Sequence, residues 1–70
     1  MAEYELIDAD YIFAYEQGHD AVMRGQGDQS NNPHPKDSIL WKLWEEGAND
    51  ATLGFNASAE DIMNFVKGQK

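Results

Sequence analysis

The sequence predicts an all-α fold, in which two antiparallel helices form a hairpin packed through glycine and alanine and a short third helix docks on it. Small residues recur at helical spacing in the first half of the chain, at Ala14, Gly18, Ala21 and Gly25. Apolar residues recur with the same period in two later segments. Glycine, asparagine and proline separate these segments, which is typical of loops between helices.

The first predicted helix spans residues 8–25, and aspartates near its start can cap it. Gly18 lies in its interior, where glycine costs about 1 kcal/mol relative to alanine. The small residues leave a strip with almost no side chains, so we expect a second helix to approach this position closely. Residues 1–7 are predicted to form an arm that packs on the core through Leu6 and Ile7.

Two further helices are predicted after a loop at residues 26–35. The second helix spans residues 36–53, and its Trp44 is expected to occupy the strip of small residues. The third helix spans residues 58–67, where Ser58 can cap the first turn. So short a helix is stable only when its apolar face docks on the hairpin.

The composition is that of a single domain, residues 1–70, with 41% hydrophobic residues and no cysteine. Thirteen acidic residues against five basic ones give a net charge of −8 and a pI near 4.3. Because nucleic-acid binding depends on lysine and arginine replacing counterions, direct binding to DNA or RNA is not expected. No apolar run is long enough to span a membrane, and the N-terminus is acidic, unlike a signal peptide. We therefore expect a cytoplasmic protein.

The spacing of small residues, together with an Asn-Pro loop and a tryptophan, resembles the ribosome modulation factor family, including its small phage and plasmid-borne relatives. The matching positions are Ala14, Gly18, Ala21, Gly25, Asn32, Pro33, Trp44, Gly47 and Ala51. The resemblance implies two helices joined by an Asn-Pro loop. Members of this family are basic proteins that bind ribosomal RNA, whereas this chain is strongly acidic. Ribosome binding and RNA contacts are therefore not carried over.

Carboxylates dominate the positions predicted to face away from the strip. Glu16 and Asp20 are four residues apart, as are Glu46 and Asp50. Like charges at that spacing cost a helix about 0.2–0.5 kcal/mol, and their side chains lie about 6 Å apart. That separation is close to the spacing of phosphates along a DNA strand. The predicted partner-binding acidic face consists of Glu16, Asp20, Asp28, Asp37, Glu45, Glu46 and Asp50.

Two functions of different classes fit these residues. The first is a small acidic phage-type inhibitor that mimics DNA charge and blocks a host DNA-binding protein, with a topoisomerase, DNA gyrase first, as the expected target. The alternative is a ribosome-associated or regulatory adaptor that binds a protein surface. Phe13 and Trp41 are candidates for hydrophobic contact, and the chain is expected to be a monomer or a homodimer. The acidic face could equally serve only to keep the protein soluble.

The sequence holds no catalytic or metal-binding motif. Glu16 and His19 share a helix face, but a carboxylate-bridged site needs that motif twice, and His34 lies across a loop. Neither Ser30 nor Ser58 has a recognisable base, and no phosphate-binding glycine loop is present. We therefore predict no enzymatic activity, no cofactor and no metal.

Overall fold

The computed structural model describes residues 6–69, and this range is helical without a strand. Its elements are α1 at Asp8–Met23, a short 3-10 turn at Gln29–Asn31, α2 at Ile39–Thr52 and α3 at Ala59–Gly68. Helices α1 and α2 pair as a hairpin, and α3 packs against α1. The all-α class predicted from the sequence is therefore confirmed.

The hairpin has a crossing at which a glycine of each helix faces the backbone of the other. A Cβ atom at Gly18 of α1 would overlap the carbonyl oxygen of Trp44, and one at Gly47 of α2 would overlap the carbonyl oxygen of Tyr15. Because glycine has no Cβ, the two backbones can approach more closely than any other residue pair would allow. This packing offsets the low helix propensity of Gly18.

The core is built around this crossing. Trp44 and Tyr15 are each 1% exposed, and Leu43 is fully buried beside them. Helix α3 adds Ile62 and Val66, which are buried against the hairpin. The third helix therefore docks through its apolar face, as the sequence predicts, and its own short length is compensated by tertiary contacts.

Helix α1 ends at Met23, two residues before its predicted end, because the chain changes conformation there. Gly25 has a φ of +75°, which is left-handed and favours glycine. The N–H of Gln26 then donates to the carbonyl oxygen of Ala21 at 2.7 Å, and this bond satisfies a carbonyl that the helix leaves free. Gly54, with a φ of +77°, ends α2 in the same way.

Helix α2 begins at Ile39, three residues later than predicted. Asp37 has a φ of +70°, a left-handed conformation that cannot belong to an α-helix. Ser38 then caps α2, since its Oγ accepts a hydrogen bond from the N–H of Trp41 at 3.1 Å. Ser58 caps α3 as the sequence predicts, with 3.2 Å between its Oγ and a first-turn N–H.

Most of the predicted N-terminal arm, residues 1–7, lies outside the described residues. Leu6 is half-buried, whereas Ile7 is 63% exposed and does not pack on the core as predicted. The N–H of Ile7 donates to the carboxylate of Asp10 at 2.9 Å. Ile7 is the N-cap of α1 and provides no side-chain cap, so the predicted aspartate cap is wrong. Asp10 instead supports the helix start by accepting from the N–H that precedes it.

We expect Gly18→Ala to destabilise the protein by about 2 kcal/mol or more, because the added methyl group overlaps a backbone carbonyl that cannot move without separating the helices. In a domain of this size the melting temperature falls by about 10 °C or more. Thermal unfolding followed by circular dichroism measures the change. Gly68→Ala is the matched control, since a Cβ there meets no atom within 4 Å. Equal melting temperatures for the two variants would contradict the close contact between the two helix backbones at Gly18.

Candidate functional site

The outer face of α1, defined here as Phe13, Glu16, Asp20 and Met23, combines carboxylates with apolar side chains. Glu16 and Asp20 are both exposed, as their spacing predicts. Phe13 is 63% exposed and Met23 is 70% exposed. Asp20 pairs with Arg24 at 2.7 Å between Oδ2 and Nε. This face therefore offers both charge and apolar surface to a partner.

Three other predicted acidic residues lie in or beside the connection between α1 and α2. Asp28 and Asp37 are exposed in the connection itself. Glu45 is half-buried and accepts a hydrogen bond from the side-chain amide of Asn32 at 3.1 Å. The same amide donates to the carbonyl oxygen of Trp41 at 3.1 Å. Asn32 therefore fastens the connection to α2, and Trp41, also half-buried, offers less surface to a partner than Phe13.

Asp50 does not lie on the exposed acidic face, and its predicted placement there is wrong. It is 8% exposed and accepts a hydrogen bond from the Tyr15 hydroxyl at 2.5 Å. That hydroxyl accepts a hydrogen bond from the N–H of Ala57 at 2.9 Å. Asp50 follows Leu43 by seven residues and Gly47 by three, which places it on the buried side of α2. Its role is to tie α2 to α1 and to the segment before α3.

Tyr15 is held as a neutral phenol by this network. Burial, followed by the hydrogen bond to Asp50, raises the pKa of Tyr15 to about 12, and the N–H of Ala57 offsets part of the rise. A phenol with so high a pKa donates a hydrogen bond at neutral pH and is poorly suited to act as a general base. The network therefore contributes to stability and gives no support to catalysis.

Glu46 lines a cleft of about 480 Å³ between α2 and α3, called here the α2–α3 cleft. The lining residues are Tyr15, Leu43, Glu46, Phe55, Ala57, Asp61, Ile62, Asn64 and Phe65. Burial, followed by repulsion from Asp50, raises the pKa of Glu46. The predicted acidic residues are thus divided among the outer face, the connection, the α2–α3 cleft and the interior.

Both histidines make hydrogen bonds within the fold. The Nε2 atom of His19 is 3.0 Å from the carbonyl oxygen of Phe55, and that of His34 is 2.9 Å from the side-chain oxygen of Gln17. Burial lowers the pKa of His34. Among residues 6–69 the structure places no group of three or more histidine, aspartate or glutamate side chains that could hold a metal ion.

No protein-family model, curated protein sequence or solved structure matches this chain. The likeness to ribosome modulation factors therefore depends on the spacing of small residues, the Asn-Pro loop and the tryptophan, and it stays a prediction. In the part of the chain that the structure describes, no helix is both long and apolar enough to cross a membrane.

We expect Tyr15→Phe to lower the free energy of unfolding by about 2–4 kcal/mol, because it leaves the Asp50 carboxylate and the Ala57 N–H without their partner. Urea denaturation at neutral pH measures the change. Tyr11→Phe is the control, since the Tyr11 hydroxyl makes no hydrogen bond within residues 6–69 and its removal should cost under about 0.5 kcal/mol. If both variants unfold at the same urea concentration, the hydrogen bonds of Tyr15 do not stabilise the fold.

We expect Glu46→Gln to raise the melting temperature at neutral pH. The pKa of Glu46 is raised in the folded state, so this state binds the proton more tightly than the unfolded chain does. The stability gained from the protonated carboxyl is present below the unfolded pKa and is lost as pH rises through the folded pKa. The gain from glutamine should therefore be present at about pH 7 and vanish near pH 4.

Calorimetry at both pH values measures this difference. Glu60→Gln removes an exposed carboxylate from the first turn of α3, where negative charge is favourable, and should give no gain. If the gain in melting temperature for Glu46→Gln does not change with pH, the raised pKa of Glu46 is not its cause.

Proposed function

We propose that this chain is a small acidic phage-type inhibitor that mimics DNA charge and blocks a DNA-binding enzyme in the cytoplasm of a bacterial host. The observation that carries the proposal is the imbalance of exposed charge. Within residues 6–69 the exposed carboxylates take part in a single ion pair, which joins Asp20 to Arg24. The exposed acidic residues are Asp8, Glu16, Asp20, Asp28, Asp37, Glu60 and Asp61. With a net charge of −8 the chain attracts basic surfaces.

The proposed target is a topoisomerase, with DNA gyrase as the first candidate. An enzyme that binds duplex DNA presents lysine and arginine to the phosphates. Carboxylates from the outer face of α1, from Asp28 and Asp37 and from Glu45 would pair with those cations and exclude the DNA. Long-range attraction also speeds the encounter, and salt screens it over about 10 Å at 0.1 M ionic strength.

We further propose that the hairpin is an acidic variant of the ribosome modulation factor scaffold, with its two helices antiparallel. The positions that carry the resemblance have structural roles that support this. Gly18 and Gly47 permit the close crossing, and Asn32 fastens the connection to α2. Trp44 is buried at the crossing. Among the exposed charged side chains, which bear on what the scaffold binds, acidic residues outnumber basic ones.

A second candidate function is a ribosome-associated or regulatory adaptor that binds a protein surface. The observation that favours it is the apolar part of the outer face. Phe13 and Met23 are more than half exposed beside the two carboxylates. Aromatic side chains and methionine are enriched where proteins contact one another, whereas a charge mimic alone does not require them.

We expect the chain to displace duplex DNA from gyrase and to inhibit supercoiling, with an affinity that falls steeply as salt rises. The double variant Glu16→Gln/Asp20→Asn removes two charges from the outer face and should weaken inhibition by about tenfold. Fluorescence anisotropy of a labelled duplex measures displacement, and a supercoiling assay measures inhibition.

Asp8→Asn/Glu60→Gln is the matched control, because it makes the same charge change at two exposed helix starts. Its inhibition should stay within about twofold to threefold of wild type, less than the loss expected for charges at the contact. The DNA-mimic proposal would be contradicted if inhibition did not depend on salt concentration, or if both double variants lost inhibition equally. A pull-down from bacterial lysate that enriches ribosomal proteins and no DNA-binding enzyme would favour the adaptor.

A further inference from the structure

The α2–α3 cleft combines apolar surface with carboxylates from both helices. Its accessible apolar lining comes from Phe55, which is 52% exposed, and from the half-buried Phe65. Glu46 reaches it from α2 and Asp61 from α3. Its volume is about 480 Å³. Clefts of roughly 300–1,000 Å³ lined in this way are typical of ligand-binding sites. The cleft can hold a few side chains of a partner.

Neither carboxylate of the cleft pairs with a cation within residues 6–69. Glu46 is half-buried and takes part in no hydrogen bond or ion pair with the rest of residues 6–69. Asp61 accepts a hydrogen bond from the N–H of Ser58 at 3.4 Å, which is long for this type of bond. Its remaining acceptor capacity is free. A cation placed between the two helices would satisfy both groups with charge-assisted hydrogen bonds.

We propose that the α2–α3 cleft binds a short segment of a partner protein in which a lysine or arginine stands beside an apolar residue. The apolar side chain covers Phe55 and Phe65, and the cation pairs with Glu46 and Asp61. This inference deepens the proposed function and rests on it in taking the partner to be a protein. It supplies the selectivity that net charge lacks, because negative charge alone attracts any basic surface.

The chemistry of the cleft excludes simpler occupants. A nucleic acid or another anion is repelled by the carboxylates and by the net charge of −8. A wholly apolar segment would desolvate Glu46 and Asp61 without giving them a partner. A wholly basic segment would leave the apolar lining in contact with water. A mixed segment satisfies both parts of the cleft.

The test uses the full chain, labelled with nitrogen-15, and the probe peptide acetyl-Gly-Leu-Arg-Phe-Lys-Gly-amide. We expect saturable chemical-shift changes at Ala57, Ile62 and Phe65, which line the cleft. Two control peptides isolate the two components, one with both cations replaced by glutamate and one with both apolar residues replaced by serine. Each control should bind at least about tenfold more weakly, as expected for losing two ion pairs or the apolar contact.

The variant Glu46→Gln/Asp61→Asn tests the carboxylates. Asparagine can still accept the Ser58 N–H at the start of α3, so the fold should be retained. We expect the probe peptide to bind this variant about tenfold more weakly than wild type, and to bind Asp8→Asn/Glu60→Gln within about twofold. Both variants have the same net charge, so a difference between them reports the position of the charge.

The proposal is overturned if the shift changes lie away from the cleft, if the glutamate peptide binds equally well, or if the two variants bind alike. None of these measurements involves DNA or a DNA-binding enzyme. Failure of peptide binding with intact DNA displacement would reject the cleft and leave the DNA mimic standing. Peptide binding without DNA displacement would reject the mimic and keep the cleft.

Discussion

The contact between two helix backbones at Gly18 and Gly47 is the constraint on which the rest of the structure depends. Each glycine accommodates a carbonyl oxygen of the opposite helix, so neither can gain a side chain while the hairpin stays closed. This close approach lets a chain with a thin core bury Trp44 and Tyr15 almost completely. In a domain of this size a single core is only marginally stable. Close packing of the two backbones increases the share of the apolar surface that is buried.

The crossing also determines where the third helix sits. The carbonyl oxygen of Tyr15 faces Gly47, while its hydroxyl bonds to Asp50 and to the Ala57 N–H before α3. The Tyr15 hydroxyl therefore ties α1 to α2 and to the segment that precedes α3. The arrangement buries a carboxylate, which is tolerated because a short hydrogen bond satisfies it. Next to it, Glu46 has no such partner among residues 6–69 and lies instead in the α2–α3 cleft.

Sequence reasoning predicts the parts of this molecule that depend on local spacing and capping. The three helices, the close approach at Gly18 and the Ser58 cap all follow from periodicity and from the chemistry of helix ends. The start of α2 was less predictable, since nothing local requires the left-handed conformation of Asp37. The hydrogen bonds of Asn32 depend on how the connection folds onto α2, which no spacing encodes.

Asp50 is different, because its position on the buried side of α2 could have been read from its spacing to Leu43 and Gly47. A carboxylate is ordinarily exposed, so the charge of Asp50 argues against the buried position that its spacing indicates. Buried polar residues are the usual exceptions to such reasoning, since they depend on a partner from a distant segment.

The division of the acidic residues bears on whether their charge only keeps the protein soluble. Solubility requires exposed charge, and Glu16, Asp28 and Asp37 satisfy that requirement at almost no cost to stability. A half-buried carboxylate without a cation is different, because its ionised form opposes folding. Glu46 would solubilise the chain better from an exposed position and would fit its site better as glutamine. Solubility therefore does not account for Glu46, whereas the cationic partner proposed for the α2–α3 cleft would.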